Sequence, residues 1–132
     1  MSSELRLEIR TEFDAIRAAL ESTQFARTIG FAETPSRLIA TAVSELARNI
    51  LKYAHNGEIR LRPVEGRRGR GVEIVAADQG PGIEDVDAAM SDHFSTGNTL
   101  GLGLPGVRRL MDDFSLQSTL GEGTRVTATK WI

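Results

Sequence analysis

Asp78-Gln79-Gly80-Pro81-Gly82, followed nineteen residues later by Gly101-Leu102-Gly103-Leu104-Pro105-Gly106, reads as two halves of one nucleotide pocket. The first half sets a carboxylate beside two glycines, where a flat base can approach the backbone and meet a fixed hydrogen-bond acceptor. The second half leaves glycine N–H groups uncovered at the start of an amphipathic run, Leu104, Val107, Leu110 and Met111. A helix beginning there turns its positive end toward bound anions. Gly101 to Gly106 also fits the Gly-x-Gly-x-x-Gly spacing of dinucleotide sites. That fingerprint directly follows a hydrophobic strand, whereas residues 95–99 are polar here.

Outward from these segments the pattern alternates between two periods. Leu5, Leu7 and Ile9 alternate with Glu4, Arg6, Glu8 and Arg10, which predicts a half-buried edge strand. Phe13, Ile16, Ala19, Leu20 and Thr23 share one face of a helix that ends before Gly30. Thr34 and Pro35 signal a second helix, and Leu38, Ile39, Ala42, Val43, Leu46, Ile50 and Tyr53 hold helical spacing until Asn56-Gly57. Ile59 and Leu61, then Val72, Ile74 and Ala76, predict a hairpin around a polar turn at 65–70. Residues 80–99 are rich in turn formers, with a weak helical patch at Val86, Ala89 and Met90, and are the natural place for a mobile loop. Strands at 114–119 and 124–131 flank the turn Leu120-Gly121-Glu122-Gly123. This order predicts one domain over 1–132, a two-layer α/β sandwich with helices on one face of a mainly antiparallel sheet.

Composition removes several classes of function. Net charge is -2, from 16 basic and 18 acidic side chains, so no global field draws the chain to nucleic acid or an anionic membrane. No apolar run reaches the roughly 20 residues of a membrane span, and the first ten residues alternate instead of forming a secretory core, so a cytoplasmic location is expected. With no cysteine and two separated histidines, thiolate chemistry and an ordinary zinc site are excluded, while oxygen-ligated Mg²⁺ stays open.

On the second helix Glu45, Asn49 and Lys52 fall at i, i+4 and i+7 and form one polar stripe. A carboxylate can take a proton, an amide oxygen can ligate Mg²⁺ and an ammonium can touch phosphate, and phosphoryl transfer uses all three. A solvated helix face has the same look, and the neighbouring glycine segments decide between them.

These residues carry a resemblance. Glu45-Leu-Ala-Arg-Asn49-Ile-Leu-Lys52-Tyr53 resembles the N box of the GHKL ATP-binding superfamily, and the segments from Asp78 to Gly82 and Gly101 to Gly106 resemble its two glycine boxes. Gly121-Glu-Gly123-Thr124 resembles its final Gly-x-Gly-Thr turn. The resemblance implies a Bergerat-type sandwich that binds ATP and Mg²⁺. It further implies that Asn49 holds the metal, Asp78 binds the adenine amino group, and Thr124 supports the base. Gly80 and Gly82 would flank the base, and Gly101, Leu102, Gly103 and Leu104 would bring backbone to phosphate. Glu45 would polarise the attacking group, and Lys52 and Tyr53 match less constant positions. The string from Asp92 through Ser95-Thr96-Gly97 to Gly106, continuing to Asp112, is most similar to the RsbT-type serine/threonine kinases of the stressosome. Such kinases phosphorylate STAS-domain partners and, once released, activate a PP2C-type phosphatase. A homodimer is a further partner class, and anti-sigma factor kinases of the same superfamily are the alternative. No phosphoacceptor helix precedes the N box, so a complete histidine kinase is not expected.

Other residues have plainer readings. Arg67, Arg68 and Arg70 lack interleaved aromatics and fit a solvated turn better than an RNA-binding loop. His55 suits a helix C-terminus, and His93 reads as a surface residue of the loop. Ser95 and Thr96 carry hydroxyls that can donate to phosphate but are also ordinary loop formers.

Overall fold

The computed structural model describes residues 4–83, 90 and 103–132. Element order follows the periodicity: β1 (Leu5–Ile9), α1 (Glu12–Ile29), α2 (Glu33–Ala54), β2 (Gly57–Gly66), β3 (Gly69–Asp78), α3 (Gly103–Leu110), β4 (Asp113–Thr119) and β5 (Gly123–Trp131). The strands form one sheet in the order β1-β2-β3-β5-β4, and every pairing is antiparallel. The helices cover one face, as expected for a two-layer sandwich, and β1 lies at the edge. None of the described helices is long and apolar enough to cross a membrane.

Local chemistry explains where each element starts and stops. Thr11 caps α1: its hydroxyl accepts from the Asp14 N–H at 3.1 Å, and the Asp14 carboxylate accepts from the N–H groups of Arg10 and Thr11. The Arg10 N–H, more than any other neighbour, holds the Asp14 carboxyl below its ordinary pKa. Gly30, at φ 125°, ends the helix by donating to Ala26 and Arg27 carbonyls. The α2 helix begins slightly before the Thr34-Pro35 signal, with Ala32 as a cap that makes no side-chain bond. Glu33, at its first turn, accepts from Arg27 and Arg37, and the Arg27 hydrogen bond is the main reason its carboxyl sits below its ordinary pKa.

The α2 face of Ile39, Ala42, Val43, Leu46, Ala47 and Ile50 lies on Ile59, Leu61, Val72, Ile74 and Val126 of the sheet. Each large aliphatic buried here contributes about 1.5–3 kcal/mol. In α1 the apolar face reads the other way round. Ala15, Ala18, Ser22 and Ala26 are buried, whereas Phe13, Ile16 and Leu20 stay in solvent, because small side chains let α1 approach α2 closely. The β2–β3 strands run further than expected: Glu65 pairs with Arg70 and Gly66 with Gly69, which leaves only Arg67 and Arg68 in the turn. Pro63 is tolerated inside β2 because the described pairing with β1 stops at Leu61, so no described strand flanks Pro63 on that side.

Candidate active site

The end of β3 and the start of β5 lie side by side, so the first glycine segment and the Gly-x-Gly-Thr turn meet. Asp78 pairs with Thr124 across the two strands. The Asp78 Oδ1 accepts from the Gly80 N–H at 3.0 Å and from the Thr124 N–H at 3.3 Å. Its other oxygen has no hydrogen bond within the described residues and is left for an incoming donor. Glycine is required on both sides of this carboxylate. A Cβ on Gly80 would lie 2.6 Å from the Ala54 Cβ and 2.9 Å from its Cα, so the chain turns directly against the end of α2. A Cβ on Gly123 would run into the Asp78 carbonyl oxygen, at a φ of 122° that L side chains rarely adopt.

Gly82, at φ 82°, presses on the Thr119 carbonyl, and the Pro81 carbonyl accepts from the Gly121 N–H at 2.9 Å. These contacts tie the first glycine segment to the β4–β5 turn. Ser118 completes the tie. Its Oγ accepts from the Ile83 N–H at 2.7 Å and lies 2.9 Å from the buried Thr124 hydroxyl and 3.3 Å from the Gly123 carbonyl. Nothing in the sequence reading singled out Ser118. The hairpin is centred on Gly121 alone, which makes Ser118 the cross-strand partner of Thr124, whereas a turn over Leu120 to Gly123 would have set Thr119 there.

The second half of the site joins α2 to α3. The Gly103 N–H donates to Glu45 Oε2 at 3.2 Å across 58 residues of sequence. A candidate proton acceptor thus sits on the first turn of the helix that was expected to face phosphate. Gly103 itself is exposed, at φ 48°. The Leu104 side chain is buried with Val107 in the core, so only its backbone can take part in binding. Arg108 and Arg109 follow on the exposed face of α3.

Asn49 is half-buried one turn beyond Glu45, and its amide makes no hydrogen bond among the described residues. Lys52 is exposed, with Nζ 5.2 Å from the centre of the half-buried Tyr53 ring. The helix ends at His55, whose φ of 71° makes it the chain's described non-glycine residue with positive φ and turns it out of α2 ahead of Gly57. Gly57 is again held by close approach: a Cβ there would lie 2.7 Å from the Ala77 carbonyl oxygen. Ser95, Thr96, Gly101 and Leu102 lie outside the described residues, as do His93 and most of the expected loop.

The donor set fits ATP and Mg²⁺. The Asp78 oxygen that has no partner among the described residues suits an amino donor, and glycines clear the approach to it. Mg²⁺ keeps most of its waters and takes one or two protein oxygens beside phosphates, and the half-exposed Asn49 amide offers one.

Comparison with known proteins agrees with this arrangement. The family model described as a histidine kinase-like ATPase domain matches residues 9–130. The chain is 47% identical over 132 residues to the serine/threonine-protein kinase RsbT of Bacillus subtilis (strain 168), covering 100% of this chain and 99% of that one. It is 34% identical over 98 residues to an anti-sigma F factor of Thermoanaerobacter sp. (strain X514), covering 71% of this chain and 68% of that one. Among solved structures, the histidine kinase domain of the Erythrobacter litoralis EL346 blue-light activated histidine kinase superposes with a TM-score of 0.54 at 22% identity. That match covers 90% of this chain and 59% of the other.

Proposed function

Since the chain belongs to the histidine kinase-like ATPase domain family, we propose that it is a cytoplasmic, single-domain protein kinase over residues 1–132 that acts by partner switching. It moves the γ-phosphoryl group of ATP to a serine or threonine hydroxyl on a STAS-domain protein and, when released from that partner, activates a PP2C-type phosphatase. The observation that supports this reading best is the Glu45 carboxylate on the Gly103 N–H, a candidate proton acceptor at the start of α3. Identity of 47% along the full length of a named serine/threonine kinase supports it.

In this scheme Asp78 receives the adenine amino group, while Gly80, Gly82 and Thr124 shape the seat. Asn49 would hold Mg²⁺, which when bound would supply positive charge to offset that of the phosphates. The N–H groups of Gly103 and Leu104 would meet phosphate, with Lys52 and Tyr53 nearby on α2, and the resemblance alone assigns Gly101, Leu102, Ser95 and Thr96 to the same ligand. Glu45 takes the proton of the acceptor hydroxyl as the new P–O bond forms and the bond to the ADP oxygen breaks. Positioning and charge neutralisation supply most of the rate.

The anti-sigma F factor relatives favour a second reading, an anti-sigma kinase that holds a sigma subunit and phosphorylates its STAS antagonist. Incubation with γ-labelled Mg²⁺-ATP and a STAS-domain protein from the same genomic neighbourhood tests the first reading. Label is expected on a Ser or Thr of that protein. ADP release with no labelled protein would replace the kinase reading with a hydrolase, and co-purification of a sigma subunit would favour the second reading.

A further inference from the structure

Arg67, Arg68 and Arg70 crowd one turn at the end of β3 opposite Asp78, and no step of the proposed chemistry uses them. All three are exposed, and none has an ion pair among the described residues. Several exposed arginines elsewhere are neutralised, Arg17 by Glu21, Arg27 and Arg37 by Glu33, and Arg62 by Glu73. The chain as a whole carries a net charge of -2, so this concentration of positive charge is local. We propose that the β2–β3 turn is a docking site for an acidic segment of a protein partner, one rich in Asp and Glu, and that it works apart from the nucleotide site.

The turn is braced from two sides. Gly69, at φ 101°, lets the strands close with only Arg67 and Arg68 at the tip. The Trp131 ring lies along the hairpin, where a Cβ on Gly66 would meet it at 3.1 Å and one on Gly71 at 2.8 Å. Its indole N–H donates to the Asp113 carboxylate at 2.9 Å, which fixes the ring. The Ile132 N–H donates to the Arg70 carbonyl, also at 2.9 Å, and pins the second strand. The Arg70 side chain is aimed as well. It makes no ion pair with Glu65 directly across the hairpin, and a Cβ on Gly30 would lie 3.2 Å from its Nη2. The guanidinium therefore sits over the C-terminal end of α1, where the helix dipole favours a cation. A backbone held in this way lowers the ordering cost of binding.

Guanidinium groups take carboxylates and phosphates alike, in bidentate pairs. The surroundings favour a peptide. Single-stranded nucleic acid binds where bases can stack on aromatic faces, and Trp131, the chain's single tryptophan, is already engaged with Gly66, Gly71 and Asp113. A net negative chain also repels the dense charge of a polyanion, which a short acidic segment lacks. From Arg70 to Asp78 the strand runs roughly 26 Å at about 3.3 Å per residue. A segment held at the turn leaves the base seat uncovered, so its partner stays bound while nucleotide exchanges.

Fluorescence anisotropy of a labelled decapeptide of alternating Glu and Ser, titrated with the purified full chain, tests this without relying on the kinase reading. Saturable binding is expected, weakening as salt rises. Arg67→Glu combined with Arg68→Glu should raise the dissociation constant at least about tenfold. Thermal unfolding should show that variant as stable as the wild type, since both side chains are exposed. Lysine at the same two positions should cost less affinity, because the charge stays and only the bidentate geometry is lost. Trp131 reports the place: its emission should shift along the same isotherm when the unlabelled peptide is added. Saturating Mg²⁺-ATP at matched ionic strength should leave the constant unchanged. The proposal is overturned by the absence of saturable binding, by a glutamate variant that binds as tightly as the wild type, or by Trp131 emission that ignores the peptide. Displacement of the peptide by ATP, or tighter binding of an oligothymidylate of equal charge, has the same consequence.

Discussion

At the end of β3 the Asp78 carboxylate is held by two backbone N–H groups, and its neighbouring glycines are wedged against carbonyls and a helix end. Among the described residues, the Glu45 carboxylate at the start of α3 holds a single N–H at 3.2 Å, and the Asn49 amide holds nothing. The difference follows from what each side has to do. A base is recognised by shape and one donor, so its seat gains from being fixed before the ligand arrives. Phosphate, metal and a moving proton need groups that can exchange partners, and one exposed hydrogen bond is cheap to break. Backbone sterics build the first side, and side chains on two helices build the second.

The largest effect is expected on the exchangeable side. Glu45→Ala should lower phosphoryl transfer by about 10²–10⁴-fold, the usual contribution of a positioned base, while ATP affinity changes little. Equilibrium binding and single-turnover transfer measured side by side would check this. Undiminished transfer would remove Glu45 from the chemistry and leave it only a cap on α3.

Gly123→Ala comes next and acts on the fixed side. The new methyl meets the Asp78 carbonyl and lies 2.9 Å from the Gln79 Cα, at a φ of 122°. Left-handed strain and overpacking together should cost about 3 kcal/mol of stability, read by urea unfolding. A variant as stable as the wild type would mean that the β3–β5 junction yields easily and that the seat is not rigid.

Asp78→Asn should have a smaller and more selective effect. Asparagine can still accept from Gly80 and Thr124 through its oxygen, so the fold persists. It then presents an NH₂ where the base amine needs an acceptor. Calorimetric titration should show ATP affinity lower by about 10- to 100-fold, the range for a hydrogen bond to a charged group. Unchanged affinity would show that the open Asp78 oxygen does not face the ligand.

Much of this architecture was legible because each step rests on local chemistry. Alternation in Leu5, Leu7 and Ile9 marked an edge strand, and the spacing of Ile39, Val43, Leu46 and Ile50 marked a helix packed on the sheet. Asp78 beside Gly80 could be read because a turn tight enough to touch Ala54 admits no other residue than glycine. What escaped depends on contacts distant in sequence. Periodicity found one face of α1 in Phe13, Ile16 and Leu20 but could not say whether it met the core. Alanines on the opposite face packed more closely on α2, and pattern does not rank a large face against a tight one. Strand order was equally hidden, since β5 enters between β3 and β4 only after the chain has crossed from Asp78 to Gly123.

Ser118 gives the smallest and most discriminating test of the comparison. Its hydroxyl links Ile83, Gly123 and Thr124, so it belongs to the frame of the base seat without being among the groups offered to the ligand. Ser118→Ala leaves the Ile83 N–H and the buried Thr124 hydroxyl without this partner. The cost should be about 1–2 kcal/mol of stability. ATP affinity should fall far less than in Asp78→Asn, because Asp78 keeps both of its backbone donors and the glycine contacts still set the backbone. Urea unfolding and ATP titration on the same variant separate the two quantities. If affinity instead falls as far as it does for Asp78→Asn, side-chain bonds shape the seat as much as backbone sterics do, and the two sides of the pocket are built alike.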